Sequence, residues 1–317
     1  MSELPLVSIV TPSLNQSRFI RATIDSILSQ DYPNLEYWVI DGGSKDGTVN
    51  TLQSYSERIH WVSEADSGQS QAINKGWKRS HGDILGWVNA DDLLQPLAVQ
   101  RAVQALLSNQ AVGAVYGDSF YIDDADKVIQ QYPARAFNYD ALVSETENFI
   151  PQTSVFMRRN VLEKAGFLNE SLHFVMDHDL WLRMGLIAPM EYLPMEMAAL
   201  RLHSSAKTVK AMSGFASEFA FMYQNLFTNP ALPMTLRQRQ TEIMHTAYVH
   251  SASFCFWGGD TRSALQFLQK AWGQQPFPRR RTFWRLLAFS MFGKAGWKLA
   301  EFLHGNPMQL RKGLLIR

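Results

Sequence analysis

Short β-branched runs alternate with helical patterns over the first part of this sequence, and that alternation constrains the fold more than any other feature. The runs are VSIVT (7–11), YWVID (37–41), HWVSE (60–64) and ILGWV (84–88). The intervening segments, 16–29, 47–56 and 69–79, have the pattern of helices. This order predicts an α/β fold, with a mainly parallel central sheet and helices on both faces.

Polar residues follow each of the four predicted strands. They are Thr11 and Pro12, then Asp41 and Gly42, then Asp66, and finally Asn89, Ala90, Asp91 and Asp92. Ligands of such sheets bind at the carboxyl ends of the strands, so we expect these residues to form one site. Because burying unpaired charge is costly, the carboxylate cluster needs solvent, protein partners or a bound cation.

The carboxylates favour a metal-bridged diphosphate over a backbone phosphate cradle. The sequence contains neither GxxxxGK[ST] nor GxGxxG, the glycine-rich phosphate loops. Oxygen ligands such as Asp91 suit Mg²⁺ or Mn²⁺, which neutralise a nucleotide diphosphate. The alternative is that Asp91 and Asp92 cap a helix starting near Pro96.

The rest of the chain changes character along its length. Residues 113–123 and 127–132 predict an antiparallel hairpin, 152–159 a strand, and 160–165 a helix. A further helix is predicted at 178–187, with Asp177 at its start. Beyond Gly214 the sequence is helical, and 247–271 is typical of one tetratricopeptide-like hairpin or of a helical lid. We therefore expect a catalytic domain over 1–213, a helical extension over 214–276 and a basic amphipathic tail over 277–317.

The composition indicates a globular protein from a reducing compartment. Of 317 residues, 46% are hydrophobic and 19% charged, which is enough apolar surface for a sizeable core. The single cysteine, Cys255, excludes an internal disulfide framework and a multi-cysteine zinc site. The first residues lack the pattern of a signal peptide. A cytoplasmic location is therefore expected.

The charge is unevenly distributed. Residues 277–317 contain nine Lys or Arg and one acid; subtraction from 30 and 29 leaves 21 basic and 28 acidic residues over 1–276, a net of −7. Aromatic residues alternate with the basic ones over 279–304, which predicts peripheral binding to the inner face of the cell membrane. The alternative is a basic helix docked on the acidic body. No recognised nucleic-acid-binding motif accompanies the tail, so no nucleic-acid partner is expected.

Several long motifs together resemble the glycosyltransferase family 2 enzymes with the GT-A fold, of the bacterial surface-polysaccharide type. The motifs occur in the order of that family and lie at 7–48, EADSGQSQAINKG (64–76), ILGWVNADD (84–92), 151–172, MDHDLWLRM (176–184) and RLHSSAKT (201–208). The resemblance covers roughly residues 5–225 and is weaker over the C-terminal third.

The resemblance implies roles for the residues of the predicted site. Thr11, Pro12, Asp41 and Gly42 would contact the base and ribose of a nucleotide-sugar donor, with Asp66 and Asn74 nearby. Residues 89–91 occupy the position of the family's Asp-x-Asp motif, so Asp91 would bind Mn²⁺ or Mg²⁺, and Asn89 and Ala90 would contact the nucleotide sugar. Asn89 departs from the family's usual aspartate and removes one charge near the cation.

The resemblance also implies the residues that act on the acceptor. Asp177 is the expected catalytic base, with Asp179 as the competitor. His203 would be a second metal ligand, although without the motif it would be read as a loop histidine. Lys207 could add charge against the diphosphate or be a solvated lysine.

These expectations define one function and its rivals. We expect an inverting glycosyltransferase that moves a sugar from a nucleotide diphosphate to a hydroxyl of a saccharide or lipid-linked saccharide, in surface-polysaccharide synthesis. A non-catalytic nucleotide-sugar or saccharide-binding protein with a decayed metal site is one alternative. A nucleotidyltransferase is another, although its Gly-rich loop is missing after the first strand, where TPSLNQ stands.

Overall fold

The structure, a computed structural model, describes residues 4–203, 212–275 and 281–304. These residues form two compact units. The first contains the chain up to Phe137 together with Phe149–Leu202, and the second contains Asn138–Asn148 and the described residues from His203 onward. The three-part division expected from the sequence stays a prediction.

The first unit alternates strands and helices in the predicted order. Its strands are β1 (Val7–Ser13), β2 (Leu35–Asp41), β3 (His60–Ser63), β4 (Ile84–Trp87), β5 (Leu93–Leu94), β6 (Ala114–Ile122), β7 (Val128–Gln131), β8 (Phe156–Arg158) and β9 (Met190–Arg201). Its helices are α1 (Ile20–Leu28), α2 (Thr48–Ser54), α3 (Gln69–Arg79), α4 (Ala98–Ser108), α6 (Arg159–Ala165) and α7 (Met176–Met184); α5 (Tyr139–Ser144) belongs to the second unit.

All nine strands form one sheet, in the order β3-β2-β1-β4-β8-β6-β9-β5, with β7 paired to β6. The longest pairings, β1 with β2 and β6 with β9, are parallel, as are β1 with β4 and β2 with β3. The remaining pairings are antiparallel: β5 with β9, β7 with β6, and β8 with both β4 and β6. The predicted mainly parallel α/β sheet is therefore confirmed, and so is the hairpin of β6 and β7.

The core lies between β1, β2, β4 and the helices that follow them. Every residue of β1 is buried, which explains why its sequence is β-branched and apolar rather than alternating. Helix α1 buries Ile20, Ile24 and Ile27. Helix α3 packs closely on the sheet at Gly76, where an added Cβ would lie 2.4 Å from Val10 Cγ1.

Glu36 is held at the amino end of the sheet. Burial raises its pKa, but hydrogen bonds from the Ser8 hydroxyl, the His81 backbone N–H and the His81 ring outweigh burial and lower that pKa to about 2. The ionised form of Glu36 is therefore the form that the fold stabilises.

Two sequence predictions need correction in the first unit. The strand predicted over 152–159 is a 3₁₀ turn at Gln152–Ser154 followed by the short strand β8, because the turn's side chains bond to neighbouring loops. The long strand β9 was not predicted, since its sequence MEYLPMEMAALR lacks β-branched residues. It forms a strand because it pairs along nearly the whole of β6.

The second unit is helical in its described part, as the sequence predicted. Besides α5, its helices are α8 (Met212–Thr228), α9 (Met234–Gln238), α10 (Gln240–Trp257), α11 (Thr261–Gln274), α12 (Arg281–Met291) and α13 (Gly293–His304). Helices α10 and α11 form the predicted hairpin, with Ala264, Leu268 and Ala271 buried and the Asp260 carboxylate accepting from the Ser263 N–H at 3.0 Å. Helix α8 packs on α10, and α12 packs on α11.

The described part of the basic tail is two helices, not the one that the sequence suggested. Phe292 separates them, and Gly293 has a φ of +55°, which suits glycine. Phe283 anchors α12, with its ring centroid 5.8 Å from that of His245 and 6.1 Å from that of Trp272. None of the described helices is long and apolar enough to cross a bilayer.

Candidate functional site

The carboxyl end of β1 is paired with a neighbouring strand on one side only. Its pairing with β4 ends at Val10, whereas its pairing with β2 continues through Pro12 to Ser13. Pro12 has no N–H to donate, so it is tolerated where the neighbouring strand has ended. Thr11 is buried, and its hydroxyl accepts a hydrogen bond from the Tyr37 hydroxyl at 2.9 Å.

Asp41 shapes the turn that follows β2. The carboxylate is fully buried and accepts from Gly43 N–H at 3.1 Å, Ser44 N–H at 2.8 Å and Ser63 Oγ at 2.7 Å, and also from the Ser44 hydroxyl. Three of these donors meet Oδ2, whereas Oδ1 accepts only from the Ser44 hydroxyl and so keeps acceptor capacity. The contact of this carboxylate with a nucleotide base stays a prediction.

Asp66 lies directly against Gly42. A Cβ on Gly42 would be 2.8 Å from Asp66 Oδ2, so only glycine allows this approach. Asp66 Oδ1 accepts from the Gly68 N–H at 2.9 Å, which fixes the carboxylate before α3 begins. The structure therefore brings the ends of β2 and β3 together, as the sequence predicted.

Asn74 has a different environment from the other predicted residues. Its side chain exchanges two hydrogen bonds with the backbone of Leu168, at 2.9 and 3.0 Å, and donates to Glu170 at 3.0 Å. These bonds fasten α3 to the loop after α6. Its predicted proximity to the nucleotide stays untested.

The turn 89–92 after β4 is held by a network of polar side chains. The Asn89 amide donates to Asp92 Oδ2 at 2.9 Å and to Gln152 Oε1 at 3.0 Å, and its oxygen accepts from Gln69 Nε2 at 2.7 Å. Gln152 in turn donates to the Trp87 carbonyl at 2.8 Å. Asn89 therefore needs both its donor and its acceptor, which a carboxylate at this position could not supply.

Asp92 is an internal carboxylate and not a helix cap. Besides the amide of Asn89, the Thr153 hydroxyl and the Arg201 N–H donate to it, at 2.8 and 2.9 Å. Burial, followed by the neighbouring charge of Asp91, raises the pKa of Asp92 to about 7, against these hydrogen bonds. Helix α4 begins at Ala98 with no side-chain cap, so the capping alternative is wrong.

Asp91 fits a divalent cation that is shared with a ligand. Its side chain is partly exposed, and its charge already acts on the buried Asp92. Over 4–203, 212–275 and 281–304, no three His, Cys, Asp or Glu side chains are grouped as a metal cage. Mg²⁺ and Mn²⁺ need no such cage when one or two carboxylates and substrate phosphates complete their coordination. The donor set at Asp91 therefore suits a cation that arrives with a diphosphate.

Asp177 and Asp179 both lie in the first turn of α7 but have different surroundings. Arg183 binds Asp179 Oδ2 through Nε and Nη2, at 2.9 and 2.7 Å. The charge of Asp177 acts on Tyr121 instead: burial, then Asp92 and Asp177, raise the pKa of this phenol. The two carboxylates of the predicted site, Asp92 and Asp177, therefore influence the same side chain.

Several residues of the site escaped the sequence analysis. Arg201 donates from Nε to the Asp91 carbonyl at 2.9 Å, and Thr23 donates from its hydroxyl to the Asp92 carbonyl at 2.8 Å. Gln69 and Thr153 complete the network. Arg201 is the first residue of the motif RLHSSAKT, and that motif was the one available signal.

Three predicted residues remain. His203 is buried and belongs to the second unit, so its role as a metal ligand stays a prediction. Lys207 lies outside the described residues. Ala90 is buried within the turn 89–92.

Comparison with known proteins identifies the relatives of this chain. The family model described as glycosyl transferase family 2 matches residues 8–166. An uncharacterized glycosyltransferase of Rickettsia felis is 29% identical over 216 residues, which are 65% of this chain and 36% of that protein. The chain thus matches little more than a third of the length of this relative.

Two solved structures share the fold over nearly the whole chain. S. aureus TarS 1–349 in complex with UDP-GlcNAc has a TM-score of 0.68 at 14% identity, covering 97% of this chain and 92% of that one. The mannosyltransferase PcManGT from Pyrobaculum calidifontis, in complex with GDP-Man and Mn²⁺, has a TM-score of 0.61 at 18% identity, covering 99% and 86%. The expected GT-A fold with a helical C-terminal region is confirmed.

Proposed function

Because the chain belongs to glycosyl transferase family 2, we propose that it moves a sugar from a nucleotide-diphosphate donor to a hydroxyl acceptor, with inversion at the anomeric carbon. The observation that supports the proposal is the hydrogen-bonded turn 89–92, which follows β4 and carries the partly exposed Asp91. The nucleotide sugars bound by TarS and PcManGT support the donor class.

The donor would lie across the strand ends of the first unit. We assign Thr11, Pro12, Asp41 and Gly42 to the nucleoside side, with Asp66 packed against that glycine. Asp91 would hold Mn²⁺ or Mg²⁺, and His203 would be a further ligand. When bound, the cation supplies positive charge against the departing diphosphate.

Asp177 is the proposed catalytic base. It would take the proton of the acceptor hydroxyl while the oxygen attacks the anomeric carbon from the face opposite the diphosphate, which inverts the configuration. Its competitor, Asp179, is held by Arg183, which also donates to the carbonyls of Ala165, Gly166 and Phe167. A carboxylate engaged in this way fastens α7 to the loop after α6, which gives Asp179 a structural role.

The proposed acceptor is a saccharide or lipid-linked saccharide of cell-surface polysaccharide, met at the cytoplasmic face of the membrane. Residues 279–304 would bind that surface peripherally. In the described part of this segment the most exposed apolar side chains are Met291, Phe292 and Phe302, at 69%, 73% and 85%. Exposed apolar groups beside Lys294 and Lys298 suit an anionic interface.

A donor screen tests the proposal. Hydrolysis of UDP- and GDP-sugars would be measured with Mn²⁺, with Mg²⁺ and with chelator, for wild type and Asp91→Ala. We expect metal-dependent release of one nucleoside diphosphate, lost in the variant. If wild type neither hydrolyses nor binds any donor of the panel, the proposal is wrong.

The catalytic base is tested with a matched pair of variants. With acceptor present, Asp177→Asn should lower kcat by about 10²- to 10⁴-fold, the range of general-base catalysis. Asp179→Asn should lower the unfolding temperature and leave kcat largely intact, because the Asp179 carboxylate accepts hydrogen bonds from Arg183. The reverse pattern would assign the base to Asp179.

A further inference from the structure

Arg201 is a buried cation whose position is unusual for a residue at the end of a strand. The side chain is 2% exposed, and the guanidinium lies 4.8 Å from the centroid of the Phe19 ring. Burying an arginine is costly unless each N–H group finds an acceptor. The acceptors of the Arg201 guanidinium therefore show which parts of the chain this side chain holds together.

The guanidinium binds two separate chain segments. Nε donates to the Asp91 carbonyl at 2.9 Å. Nη1 donates to the Asp123 carbonyl at 2.8 Å, and Nη2 pairs with Asp126 Oδ1 at 2.5 Å. One side chain thus joins the turn 89–92 to the turn 123–126 between β6 and β7.

The backbone of Arg201 strengthens the same connection. Its N–H donates to Asp92 Oδ1 at 2.9 Å, so residue 201 contacts both Asp91 and Asp92. The Asp91 carbonyl and side chain share one Cα, and fixing the peptide plane restricts where the carboxylate can point. The planar guanidinium fixes it better than an ammonium group would, because three donors lie in one rigid plane.

We propose that Arg201 is a positioning residue for Asp91, and that it couples the turn 123–126 to the donor site. The inference rests on the proposed function, since it assigns Asp91 to a metal–diphosphate complex. In this role Arg201 acts by holding the backbone of the residue that would bind the cation. Groups of this kind typically change metal affinity or activity by 10- to 100-fold when they are altered.

Arg159 provides a matched control at the other end of β4. Its guanidinium also donates to backbone carbonyls, those of Gly82, Trp77 and Ser80, at 2.6, 3.2 and 2.9 Å. Those carbonyls precede β4, whereas the turn 89–92 follows it. Arg159→Lys therefore disturbs the same kind of bonding without touching Asp91.

The experiment measures Mn²⁺ binding in the presence of UDP or GDP, read from the EPR signal of free Mn²⁺, together with kcat and donor KM. For Arg201→Lys we expect the Mn²⁺ dissociation constant to rise about tenfold or more. Arg159→Lys should leave that constant within about twofold of wild type. An equal change in both variants would overturn the proposal, because it would indicate general loosening of the unit.

A second pair of variants covers the case in which Arg201→Lys does not fold. Asp126 is 60% exposed and binds Arg201, whereas Asp124 lies on the same turn and pairs with Arg18 at 2.7 Å. Asp126→Asn should weaken Mn²⁺ binding severalfold and Asp124→Asn should not; equal effects would overturn the coupling. Failure of the proposed function is distinguishable, because wild type itself would then bind no Mn²⁺ with either nucleotide.

Discussion

Restoring the family's aspartate at position 89 should destabilise this protein, and by an amount that grows with pH. In Asn89→Asp, a carboxylate oxygen replaces the amide nitrogen that now donates to Asp92 Oδ2 at 2.9 Å and to Gln152 Oε1 at 3.0 Å. Two carboxylates would then face each other inside the turn. Either one of the two carboxylates is protonated, or their repulsion destabilises the folded state.

The magnitude follows from the position of Asp92. Two charges about 4 Å apart at an effective dielectric constant near 20 repel by about 4 kcal/mol, which is the upper limit. Below pH 7 the cost should be small, because the pKa of Asp92 is already about 7 and its protonated form can donate to the new carboxylate. Above pH 7, keeping that proton costs about 1.4 kcal/mol per pH unit.

The sign follows from proton linkage. The folded variant retains a proton that the unfolded chain releases near pH 4, so its unfolding free energy falls as pH rises through the raised pKa of the pair. We expect a difference from wild type of under about 1 kcal/mol at pH 6 and of about 2–3 kcal/mol at pH 9.

Urea unfolding of both proteins at pH 6 and pH 9 measures this difference. Asn225→Asp, on the exposed surface of α8, adds the same charge without a buried neighbour and should show no such pH dependence. The swap Asn89→Asp/Asp92→Asn restores one amide and one carboxylate and should recover part of the loss. A pH-independent difference, or no recovery in the swap, would refute the reasoning.

Three further predictions concern other parts of the chain. Glu36→Gln should cost about 2–3 kcal/mol of unfolding free energy at pH 7. The difference from wild type should close as pH falls below about 4.5, because a lowered carboxylate pKa stabilises only the ionised form. Urea unfolding over this pH range, with the exposed Glu57→Gln as the control, checks this. Gly42→Ala should raise the donor KM about tenfold or more with little change in thermal stability, because the new Cβ would displace the Asp66 carboxylate; steady-state kinetics and melting curves decide. Phe302→Ser should reduce cosedimentation with phosphatidylglycerol vesicles, whereas Phe221→Ser, an exposed apolar residue of α8, should not.

The parallel core of the first unit was predictable because its strands carry their own signal. Strands that are buried on both faces have nearly continuous apolar runs. β1 and β4 are buried throughout, and β2 is buried over its last three residues. Strand β9 has no such signal, since its conformation is imposed by pairing with β6 through two register shifts. Tertiary pairing outweighed local propensity there.

The candidate site was predictable as a set of strand ends but not as a network. The position of Asp91 follows from the end of β4, whereas its contact with Arg201 joins residues 110 positions apart. The sequence also could not show that Asp92 is internal, because capping and burial both suit an aspartate before a proline. The donors to its carboxylate from Thr153, Asn89 and Arg201 distinguish these two roles.

The division of the chain into its two units has a consequence for how the protein can be cut. The polypeptide passes from one unit to the other three times, near residues 137, 148 and 202. Helix α5, from the inserted segment, contributes the Leu142 carbonyl to the Tyr223 hydroxyl at 3.3 Å, and Asp140 pairs with Arg239 at 3.0 Å. A chain stopped at residue 202 would therefore keep the sheet and Asp91 but leave α5, with Leu142 and Val143, stripped of its helical partners. The helical unit is built from two separate segments of the chain, and the short segment 138–148 supplies one of its helices, α5.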